Sequence, residues 1–336
     1  MSVTSESGGA GLPFGAALQA LQSARNAIVL CHVHPDADTI GSGLALAIAL
    51  HRHNVAVTVS FDTPAELPLS MRSLPGAEFV VPAEKVPPTA DVVVTVDCAS
   101  AGRLGRLADR VESASTSLVI DHHASNTRFG DINLIDATAE STTAVLVHLF
   151  DEWGIEIDQD LAHCLYAGLV TDTGSFRWVR PGTHLLAERL LATGIDAAGI
   201  ARSLLDSHPF GWLPMLSRVL GTARLVPSVA GGAGLVYAVV RRADVGLLGS
   251  EEVESVIDIV RTCTDASVAA VFKEVADGAG AEWSVSLRSR QAADGANVDV
   301  SAVAVRLGGG GHTFAAGYTA HGDIDVVAEE LLAALG

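Results

Sequence analysis

The sequence predicts an α/β fold, with a mainly parallel sheet covered by helices in the N-terminal part and a smaller α/β domain in the C-terminal part. Three observations support this prediction. Short runs rich in Val, Ile and Leu alternate with helix-like segments in the first half of the chain. These runs are apolar almost throughout, which is typical of strands that are buried on both faces. The alternation starts again after a helix-rich middle segment, and 336 residues are enough for two domains.

The first domain is predicted to begin with a strand and a helix. The apolar run AIVLCHV (27–33) is the first strand, and TIGSGLALAIALHRH (39–53) follows with apolar residues at helical spacing. Four further apolar runs predict the other strands: VAVTVSF (55–61), EFVV (78–81), DVVVTVDCA (91–99) and SLVIDHH (117–123). Two longer patterns, each with a glycine at its end, predict helices over 141–154 and 160–174.

The middle of the chain, 183–221, predicts helices that are separated by turns at Gly194 and Pro209. After it, strands are predicted over 234–242, 266–275 and 282–290, and helices over 251–263 and 323–336. Residues 298–307 fit the strand period and the helix period about equally, so both assignments remain open. The predicted organisation is a mobile tail (1–14), a first domain (15–195), a helical connector (196–221) and a second domain (222–336).

The charge and the cysteines restrict the possible functions. A formal net charge of −18 argues against a surface that follows a long nucleic acid by neutralising its phosphates. It leaves room for a small anionic substrate, because metals and a few arginines can make one pocket positive. Four scattered cysteines without a CxxC pair indicate neither a zinc knuckle nor a disulfide framework, and they favour a reducing cytoplasm.

The sequence does not predict secretion or a membrane partner. The first fifteen residues contain neither the basic segment nor the apolar segment of a signal peptide. The longest uncharged stretch of the second half, 225–240, is interrupted by Pro227 and by GGAG. It is therefore too short for a membrane span.

Metal-binding residue types follow three of the predicted strands and one of the predicted helices. They are His32, Asp36 and Asp38 in LCHVHPDAD, Asp97 in VTVDCAS, Asp121, His122 and His123 in VIDHHAS, and Asp172 in GLVTDTG. Ligands in open α/β sheets collect at the carboxyl ends of the strands. The sequence therefore predicts that these four distant segments meet in one metal site.

The residue types indicate the chemistry of that site. Mixed carboxylate and imidazole ligands suit Mn²⁺ and similar divalent ions better than a thiolate-rich zinc site does. Asp97, on a neighbouring strand, is placed to bridge two ions. Two ions about 3.5–4 Å apart activate a water molecule and neutralise charge on a phosphoryl group. The predicted reaction is phosphoester hydrolysis.

Each of these residues, taken alone, has a structural alternative. Aspartates at strand ends form turns or cap helices, and Asp38, directly before Thr39, is a candidate N-cap of the following helix. A single histidine such as His32 is more often a hydrogen-bonded core residue than a ligand. The convergence of four segments favours the metal site over these alternatives.

The four segments resemble a known family. HVHPDADTIGS, VDCAS, DHHAS and GLVTDTG, in this order and at these spacings, are similar to the four motifs of the DHH phosphoesterase superfamily. GGGGH (308–312), followed by AAGY, resembles the signature of its DHHA1 subfamily. The resemblance covers about residues 25–320 and points to the NrnA-like group of short-oligonucleotide phosphodiesterases, which includes members that hydrolyse cyclic dinucleotides.

The resemblance implies roles for the residues of the first domain. The implied cofactors are two Mn²⁺ ions, with Mg²⁺ or Co²⁺ as substitutes. The implied ligands are His32 and Asp36 for one ion, Asp38, His122 and Asp172 for the other, and Asp97 for both. His123 would face the scissile phosphate, where it stabilises developing charge or assists the leaving group. Asp121 would orient a histidine.

The resemblance also implies substrate-binding residues. They are Arg288 in SLRSR, the loop residues Gly309, Gly310, Gly311 and His312, and Arg103 in AGRLG. Consecutive glycines let backbone N–H groups approach a phosphate or a base closely. Each of these residues has a structural alternative. The glycines could form a flexible turn, Arg288 could be a solvated charge at a strand end, and Arg103 could lie on the surface of a helix. His34 is expected to be a loop residue.

The predicted function is that of a cytoplasmic, homodimeric, Mn²⁺-dependent phosphodiesterase. It would release mononucleotides from short oligoribonucleotides and from dinucleotides such as pApA, cyclic di-AMP and cyclic di-GMP, and would remove the 3′-phosphate of pAp. Its partners would be these small nucleotides, without long nucleic acid or a membrane. The alternatives are a family II-like pyrophosphatase, a RecJ-like exonuclease and, from another class, a nucleotide-binding sensor without turnover.

Overall fold

The computed structural model of the protein describes residues 12–276, 281–290 and 297–336. The chain divides into two compact units between Ser207 and His208. This division falls inside the segment predicted as the connector, 196–221. Residues 1–11 of the predicted tail lie outside the described residues, and the first helix begins at Phe14.

The first unit contains a five-stranded sheet in which all neighbouring strands are parallel. The strands are β1 (Asn26–Leu30), β2 (Ala56–Ser60), β3 (Val92–Val96), β4 (Ser117–Asp121) and β5 (Ile132–Ile135). Their order across the sheet is β2-β1-β3-β4-β5, and every residue of β3 and β4 is buried. The predicted α/β fold with a parallel sheet is confirmed.

Helices pack against this sheet and against one another. They are α1 (Phe14–Ser23), α2 (Ala37–Arg52), α3 (Ala108–Glu112), α4 (Thr142–Trp153), α5 (Gln159–Asp172), α6 (Thr183–Leu191) and α7 (Ala197–Leu205). Short 3-10 helices cover Leu69–Met71, Ala77–Phe79, Ala83–Lys85 and Ala101–Leu107. Helices α2 and α5 approach so closely that a β-carbon on Gly41 would overlap the carbonyl oxygen of Cys164. This close contact brings together the ends of α2 and α5 that carry site residues.

The first sheet differs from the sequence prediction in two places. The predicted strand over 78–81 is wrong, because Ala77–Phe79 forms a 3-10 helix and Val80 makes a single parallel bridge to Val59. The left-handed Gly76 before it and Pro82 after it leave too few residues for a ladder. Conversely, β5 is a strand that the apolar pattern did not reveal, since it has four residues and only two are buried.

The second unit contains a mixed six-stranded sheet. Its strands are β6 (Arg224–Val226), β7 (Leu235–Val240), β8 (Val268–Ala276), β9 (Glu282–Ser289), β10 (Gly310–His312) and β11 (Ala315–His321). The order is β10-β11-β9-β8-β7-β6, in which only β7 and β8 are parallel neighbours among the described strands. A smaller α/β domain in the C-terminal part agrees with the predicted fold class.

Helices cover both faces of the second sheet. They are α8 (Trp212–Leu220), α9 (Arg242–Val245), α10 (Ser250–Glu254), α11 (Val256–Val260), α12 (Val300–Arg306) and α13 (Ile324–Leu335). One core packs residues of α12 and α13 against Phe272 and Trp283. The other packs residues of α8 and α11 against Val236 and Val271.

An N-cap decides between the helix and the strand that the sequence left open for residues 298–307. The side chain of Asp299 accepts hydrogen bonds from the backbone N–H groups of Ser301 and Ala302 at 2.9 and 3.2 Å, and α12 begins directly after it. An N-cap of this kind favours the helix over the strand. The helix predicted over 251–263 consists of the two short helices α10 and α11, which meet at Ser255.

Within the described parts of the chain, we find no helix with the combination of length and apolar character that crossing a membrane requires.

Candidate metal centre

Three neighbouring strands of the first sheet, β1, β3 and β4, end in polar residues at the same edge of the sheet. Those residues are His32, Asp36 and Asp38 after β1, Asp97 after β3, and Asp121, His122 and His123 at the end of β4. One further acidic residue, Asp172, lies at the end of α5. Asp38 and Asp121 are fully buried, and His32 and Asp97 are each 2% exposed. The sequence segments that were predicted to converge therefore do so.

Asp97 lies between two groups of donor atoms. Its Oδ2 is 3.5 Å from Nε2 of His32, and the same nitrogen is 3.5 Å from Oδ2 of Asp36. Its Oδ1 is 3.6 Å from Nε2 of His122. One carboxylate oxygen of Asp97 therefore faces each group.

The second group is arranged around Nε2 of His122. This nitrogen lies 3.2 Å from Oδ2 of Asp172 and 3.9 Å from Oδ2 of Asp38. The residues that the family resemblance implies as ligands of the second ion thus lie together, and Asp97 joins them to the first group.

His123 belongs to a separate hydrogen-bonded chain. Its Nδ1 donates to Oδ1 of Asp121 at 2.8 Å and lies 3.6 Å from Oδ1 of Asp97. The other oxygen of Asp121 accepts from Nδ2 of Asn126 at 2.5 Å. Because a carboxylate only accepts, Nδ1 of His123 carries the proton of this hydrogen bond, and Nε2 is the second nitrogen of the ring.

The buried charges shift one another strongly. Burial alone would raise the pKa of the Asp97 carboxyl, but hydrogen bonding to His32 and the charges of the three nearby imidazoles hold this pKa well below its usual range. Burial would likewise lower the pKa of His32, but the charge of Asp36 and hydrogen bonds to Asp36 and Asp97 raise it to about 9. These carboxylates and imidazoles therefore stabilise each other as ions.

Two further carboxyls carry unfavourable charge. Burial and the charges of Asp97 and Asp172 raise the pKa of Asp38 well above its usual range. Burial raises the pKa of Asp172 to about 6, against the opposing effect of His122. A bound cation would relieve the mutual repulsion of these carboxylates.

The donor atoms fit divalent metal ions. Three overlapping groups made only of first-unit residues have ligand atoms within 4.8 Å of one another: His32, Asp36 and Asp97; Asp38, Asp97 and His122; and Asp97, Asp121 and His123. All three include Asp97. The mixture of carboxylate oxygens and imidazole nitrogens suits Mn²⁺-type ions.

Sequence reasoning missed the two threonines that hold the central carboxylates. The hydroxyl of Thr142 donates to Oδ1 of Asp97 at 2.9 Å, and its backbone N–H donates to Oδ2 of Asp38 at 2.7 Å. The backbone and the hydroxyl of Thr143 both donate to Oδ1 of Asp38 at 3.0 Å. The signal in the sequence was the STT segment, in which Ser141 caps α4.

The N-cap of α2 is Asp36, and the proposed capping role of Asp38 is wrong. Oδ1 of Asp36 accepts from the backbone N–H groups of Asp38 and Thr39, both at 3.1 Å. Asp38 therefore lies inside the first turn, where its carboxylate points inward to α4 and α5. A β-carbon on Gly168 of α5 would overlap Oδ1 of Asp38 and would lie 2.6 Å from Cγ2 of Thr143.

The comparisons with known proteins agree with this site. Residues 26–169 match the family model described as "DHH family, N-terminal domain". A bifunctional oligoribonuclease and PAP phosphatase NrnA of Thermus thermophilus is 30% identical over 311 residues, which are 91% of this chain and 88% of that protein. This chain belongs to the DHH family, in its NrnA-like group. It is accordingly a divalent-metal-dependent phosphoesterase, and the resemblance found in the sequence is confirmed.

Two further comparisons extend over most of the NrnA-like chain. A probable bifunctional oligoribonuclease and PAP phosphatase NrnA of Streptococcus mutans is 26% identical over 292 residues, 86% of this chain and 88% of that protein. The crystal structure of an exopolyphosphatase-related protein from Bacteroides fragilis superposes with a TM-score of 0.82 at 22% identity, covering 96% of this chain and 95% of the other. The latter supports the fold.

Arg103 lies at the edge of the DHH site. Its Nη2 is 3.0 Å from Nδ1 of His32, and its carbonyl accepts from the backbone N–H of Val33 at 2.8 Å. His34 has a left-handed backbone with φ of 52°, and its N–H donates to the carbonyl of Thr63 at 2.6 Å. Arg103 thus contacts a candidate ligand, while the backbone of His34 joins two loops.

The predicted substrate-binding residues of the second unit lie on its sheet. Arg288 is on β9, and its Nη1 donates to the carbonyl of Leu287 at 3.0 Å. GGGGH, which the sequence indicated as a loop, ends in the edge strand β10, paired antiparallel with β11. A β-carbon on Gly309 would overlap the carbonyl oxygen of Gly317, and Gly311 has φ of 140°, so both positions need glycine.

Proposed function

We propose that the protein is a phosphodiesterase that uses two Mn²⁺ ions and water to cleave short oligoribonucleotides and linear or cyclic dinucleotides into mononucleotides. The proposed substrates include pApA, cyclic di-AMP and cyclic di-GMP, and removal of the 3′-phosphate of pAp is a further expected activity. The observation that carries this proposal is the position of Asp97, with one carboxylate oxygen 3.5 Å from His32 and the other 3.6 Å from His122.

The residues that would hold the ions are those around Asp97. They are His32 and Asp36 on one side, Asp38, His122 and Asp172 on the other, and Asp97 between them. When bound, two divalent ions activate a water molecule and neutralise charge on the phosphoryl group. Mg²⁺ and Co²⁺ are expected substitutes for Mn²⁺, because the same oxygen and nitrogen ligands accept them.

The other polar residues of the site would act on the substrate. Asp121 fixes the ring of His123 through the 2.8 Å hydrogen bond to Nδ1. Burial would lower the pKa of His123, but the hydrogen bond to Asp121 and the charge of Asp97 raise it, which favours a ring with protons on both nitrogens. We infer that this protonated ring donates from Nε2 to the scissile phosphate or to the departing 3′-oxygen, which needs a proton when its bond to phosphorus breaks. Arg103, which lies beside His32, would add positive charge for the substrate phosphate.

The relatives and the charge of the chain support the proposed substrate class. The relatives in Thermus thermophilus and Streptococcus mutans are described as oligoribonuclease and PAP phosphatase. A net charge of −18 favours small anionic substrates over long ones. In the second unit, Arg288 and the segment Gly309–Gly310–Gly311–His312 would bind the nucleotide that is not attacked.

The family resemblance further supports a homodimer, and the cysteine pattern supports a cytoplasmic location. The proposed functional organisation is a catalytic DHH domain over 15–195, a connector over 196–221 and a substrate-binding DHHA1 domain over 222–336.

Product analysis by HPLC tests the proposal. Purified protein is incubated with Mn²⁺ and, separately, with pApA, cyclic di-AMP, pAp and pyrophosphate, and the series is repeated with Mg²⁺ and Co²⁺. We expect AMP from the nucleotides, and we expect Asp97→Ala to abolish it. Asp109→Ala, which removes an exposed carboxylate on α3, is the matched control and should retain activity.

The other outcomes separate the alternatives. Phosphate from pyrophosphate without nucleotide turnover would indicate a pyrophosphatase. A preference for long single strands would indicate a RecJ-like exonuclease. Stoichiometric binding of nucleotide without any product would indicate a sensor.

A further inference from the structure

The turn that follows Asp172 has an uncommon backbone. Gly174, Ser175 and Phe176 are consecutive residues with positive φ angles of 55°, 59° and 61°. Glycine adopts this conformation readily, whereas serine and phenylalanine do so at a cost. Two non-glycine residues persist there only where the surrounding contacts hold them.

Those contacts are present on the inner side of the turn. The backbone N–H of Ser175 donates to the carbonyl of Val170 at 2.8 Å, and that of Trp178 donates to the carbonyl of Thr173 at 3.0 Å. The N–H of Phe176 donates to the hydroxyl of Thr173 at 3.1 Å. The turn is therefore fixed to the end of α5.

Aromatic packing points Phe176 inward as well. Its ring lies 6.1 Å from the ring of Tyr166 and 5.6 Å from that of His184, centroid to centroid. With Phe176 packed in this way, the next residues of the turn, Arg177 and Trp178, are on its exposed side.

Trp178 is the most exposed of the four tryptophans, with 47% of its surface accessible. One side of its ring rests on Gly174, since a β-carbon there would overlap Cζ3 of the indole. The α-carbon of Gly174 is at most about 7.6 Å from that of Asp172, because two peptide units separate them. An indole surface thus lies within reach of one nucleotide from the cluster around Asp97.

The charge around Trp178 differs from that of the whole chain. The stretch from Arg177 to Arg180 contains two exposed arginines in a protein with 39 acidic and 21 basic residues. Arg180 is tied down by a 3.3 Å hydrogen bond from Nη1 to the carbonyl of Ala137. An exposed aromatic ring between cations is the combination that binds the bases and phosphates of single-stranded nucleic acid.

We propose that Trp178 is a base-stacking platform of the active site, on which one of the two nucleobases flanking the scissile phosphate lies, with Arg177 supplying charge for the adjoining phosphate. This inference rests on the proposed function. It makes Trp178 a specificity-determining residue, because a phosphoester without a base at that position gains nothing from the indole.

Steady-state kinetics on pApA with Mn²⁺ test the platform. Trp178→Ala should raise KM roughly tenfold and leave kcat within about twofold, since loss of one base–aromatic stack weakens binding without changing the reacting groups. Trp178→Phe should retain most of the affinity, because a phenyl ring still stacks. Phe210→Ala, which removes an aromatic ring that is 82% exposed in the second unit, is the matched control and should leave KM unchanged.

Two pApA analogues that each lack one base identify the contact. For one of them, the wild type should already show the raised KM, and Trp178→Ala should have no further effect. An unchanged KM of Trp178→Ala on pApA, or a change only in oligomeric state on size-exclusion chromatography, would overturn the inference while leaving the phosphodiesterase intact. Absence of AMP from pApA with the wild type would overturn both.

Discussion

Asp97 shows at the scale of one residue how the backbone prepares the site. It follows β3 directly and has a left-handed φ of 56°, a conformation that aspartate tolerates better than most residues. Its N–H still pairs with the carbonyl of Ile120 on β4 at 3.0 Å, and the Thr142 hydroxyl holds its Oδ1. These hydrogen bonds thereby fix the carboxylate between His32 and His122.

The identity of the acidic and imidazole residues was predictable from the sequence, whereas their support was not. Asp and His at strand ends are visible in a pattern of residue types. Thr142 and Thr143 act through the N-terminus of α4, which the STT segment marks, but only the packing of α4 brings this terminus to Asp38. Asp36 caps α2 although Asp38 stood in the more obvious position, because Asp38 is turned toward α4 and α5.

The first prediction concerns protons that metal ions must displace. Burial would lower the pKa of His32, but the charge of Asp36 and the hydrogen bonds to Asp36 and Asp97 together raise it from 6.5 to about 9, so this imidazole is protonated at neutral pH when no metal ion is bound. Only the neutral imidazole binds a metal ion. We expect the affinity for Mn²⁺ to increase from about pH 6 to about pH 8, with release of at least one proton per protein.

Calorimetric titration with Mn²⁺ in buffers of different ionisation enthalpy measures that release. His32→Gln should reduce the number of protons released, and His148→Gln, which alters an exposed histidine of α4, should not. An affinity that is independent of pH would contradict the assignment of His32 as a ligand.

At the scale of the helices and strands, the site depends on the contact between α2, α4 and α5. Oδ1 of Asp38 is held by Thr143 of α4 and lies over Gly168 of α5. Three elements that are far apart in the sequence therefore determine the position of one carboxylate. Such second contacts orient a ligand and contribute to metal affinity.

Gly168→Ala tests this packing. The added methyl group would overlap Oδ1 of Asp38, so we expect activity or Mn²⁺ affinity to fall roughly 10- to 100-fold. The helix content by circular dichroism should be retained, since alanine favours a helix over glycine. Gly15→Ala on α1, where nothing lies within 4 Å of the added group, is the matched control. Equal activity of both variants would contradict the packing argument.

Elements were predictable where their pattern was long. The strands β3 and β4 and the helix α4 lie within the predicted segments, and β1 and α5 each begin one residue before theirs. The strand predicted over 78–81 was wrong because a left-handed glycine and a proline flank this segment. Residues 298–307 could not be assigned from the spacing of their apolar residues, because the N-cap at Asp299 makes this segment a helix. The strand β10 was not predicted because it contains glycines, which are typical of loops. The close pairing of β10 with β11 requires these glycines.

At the scale of the whole molecule, net charge opposes long polyanions. Because the net charge of the chain is −18, each phosphate of a substrate that extends beyond the site is repelled by the acidic protein. We expect KM for a single-stranded RNA of about 24 nucleotides to exceed that for pApA. The ratio of the two KM values should narrow when ionic strength rises from about 0.01 to about 0.15 M, because the screening length falls from about 30 to about 8 Å.

Initial rates over a range of substrate lengths and salt concentrations check this expectation. The dinucleotide serves as the internal control, because its contacts are confined to the site. A KM for the long RNA that is lower than that for pApA, and that rises with salt, would instead indicate a basic track for nucleic acid.

In the proposed mechanism, the cluster around Asp97 directs water to the phosphorus of a nucleotide phosphodiester. Hydrolysis of pApA in H₂¹⁸O with Mn²⁺, followed by mass spectrometry of the AMP produced, measures this most directly. We expect one ¹⁸O atom in the phosphate of half of the AMP, because water attacks phosphorus once, and no product with Asp97→Asn. AMP of which no fraction carries ¹⁸O, or labelled AMP formed at an undiminished rate with Asp97→Asn, would contradict this mechanism.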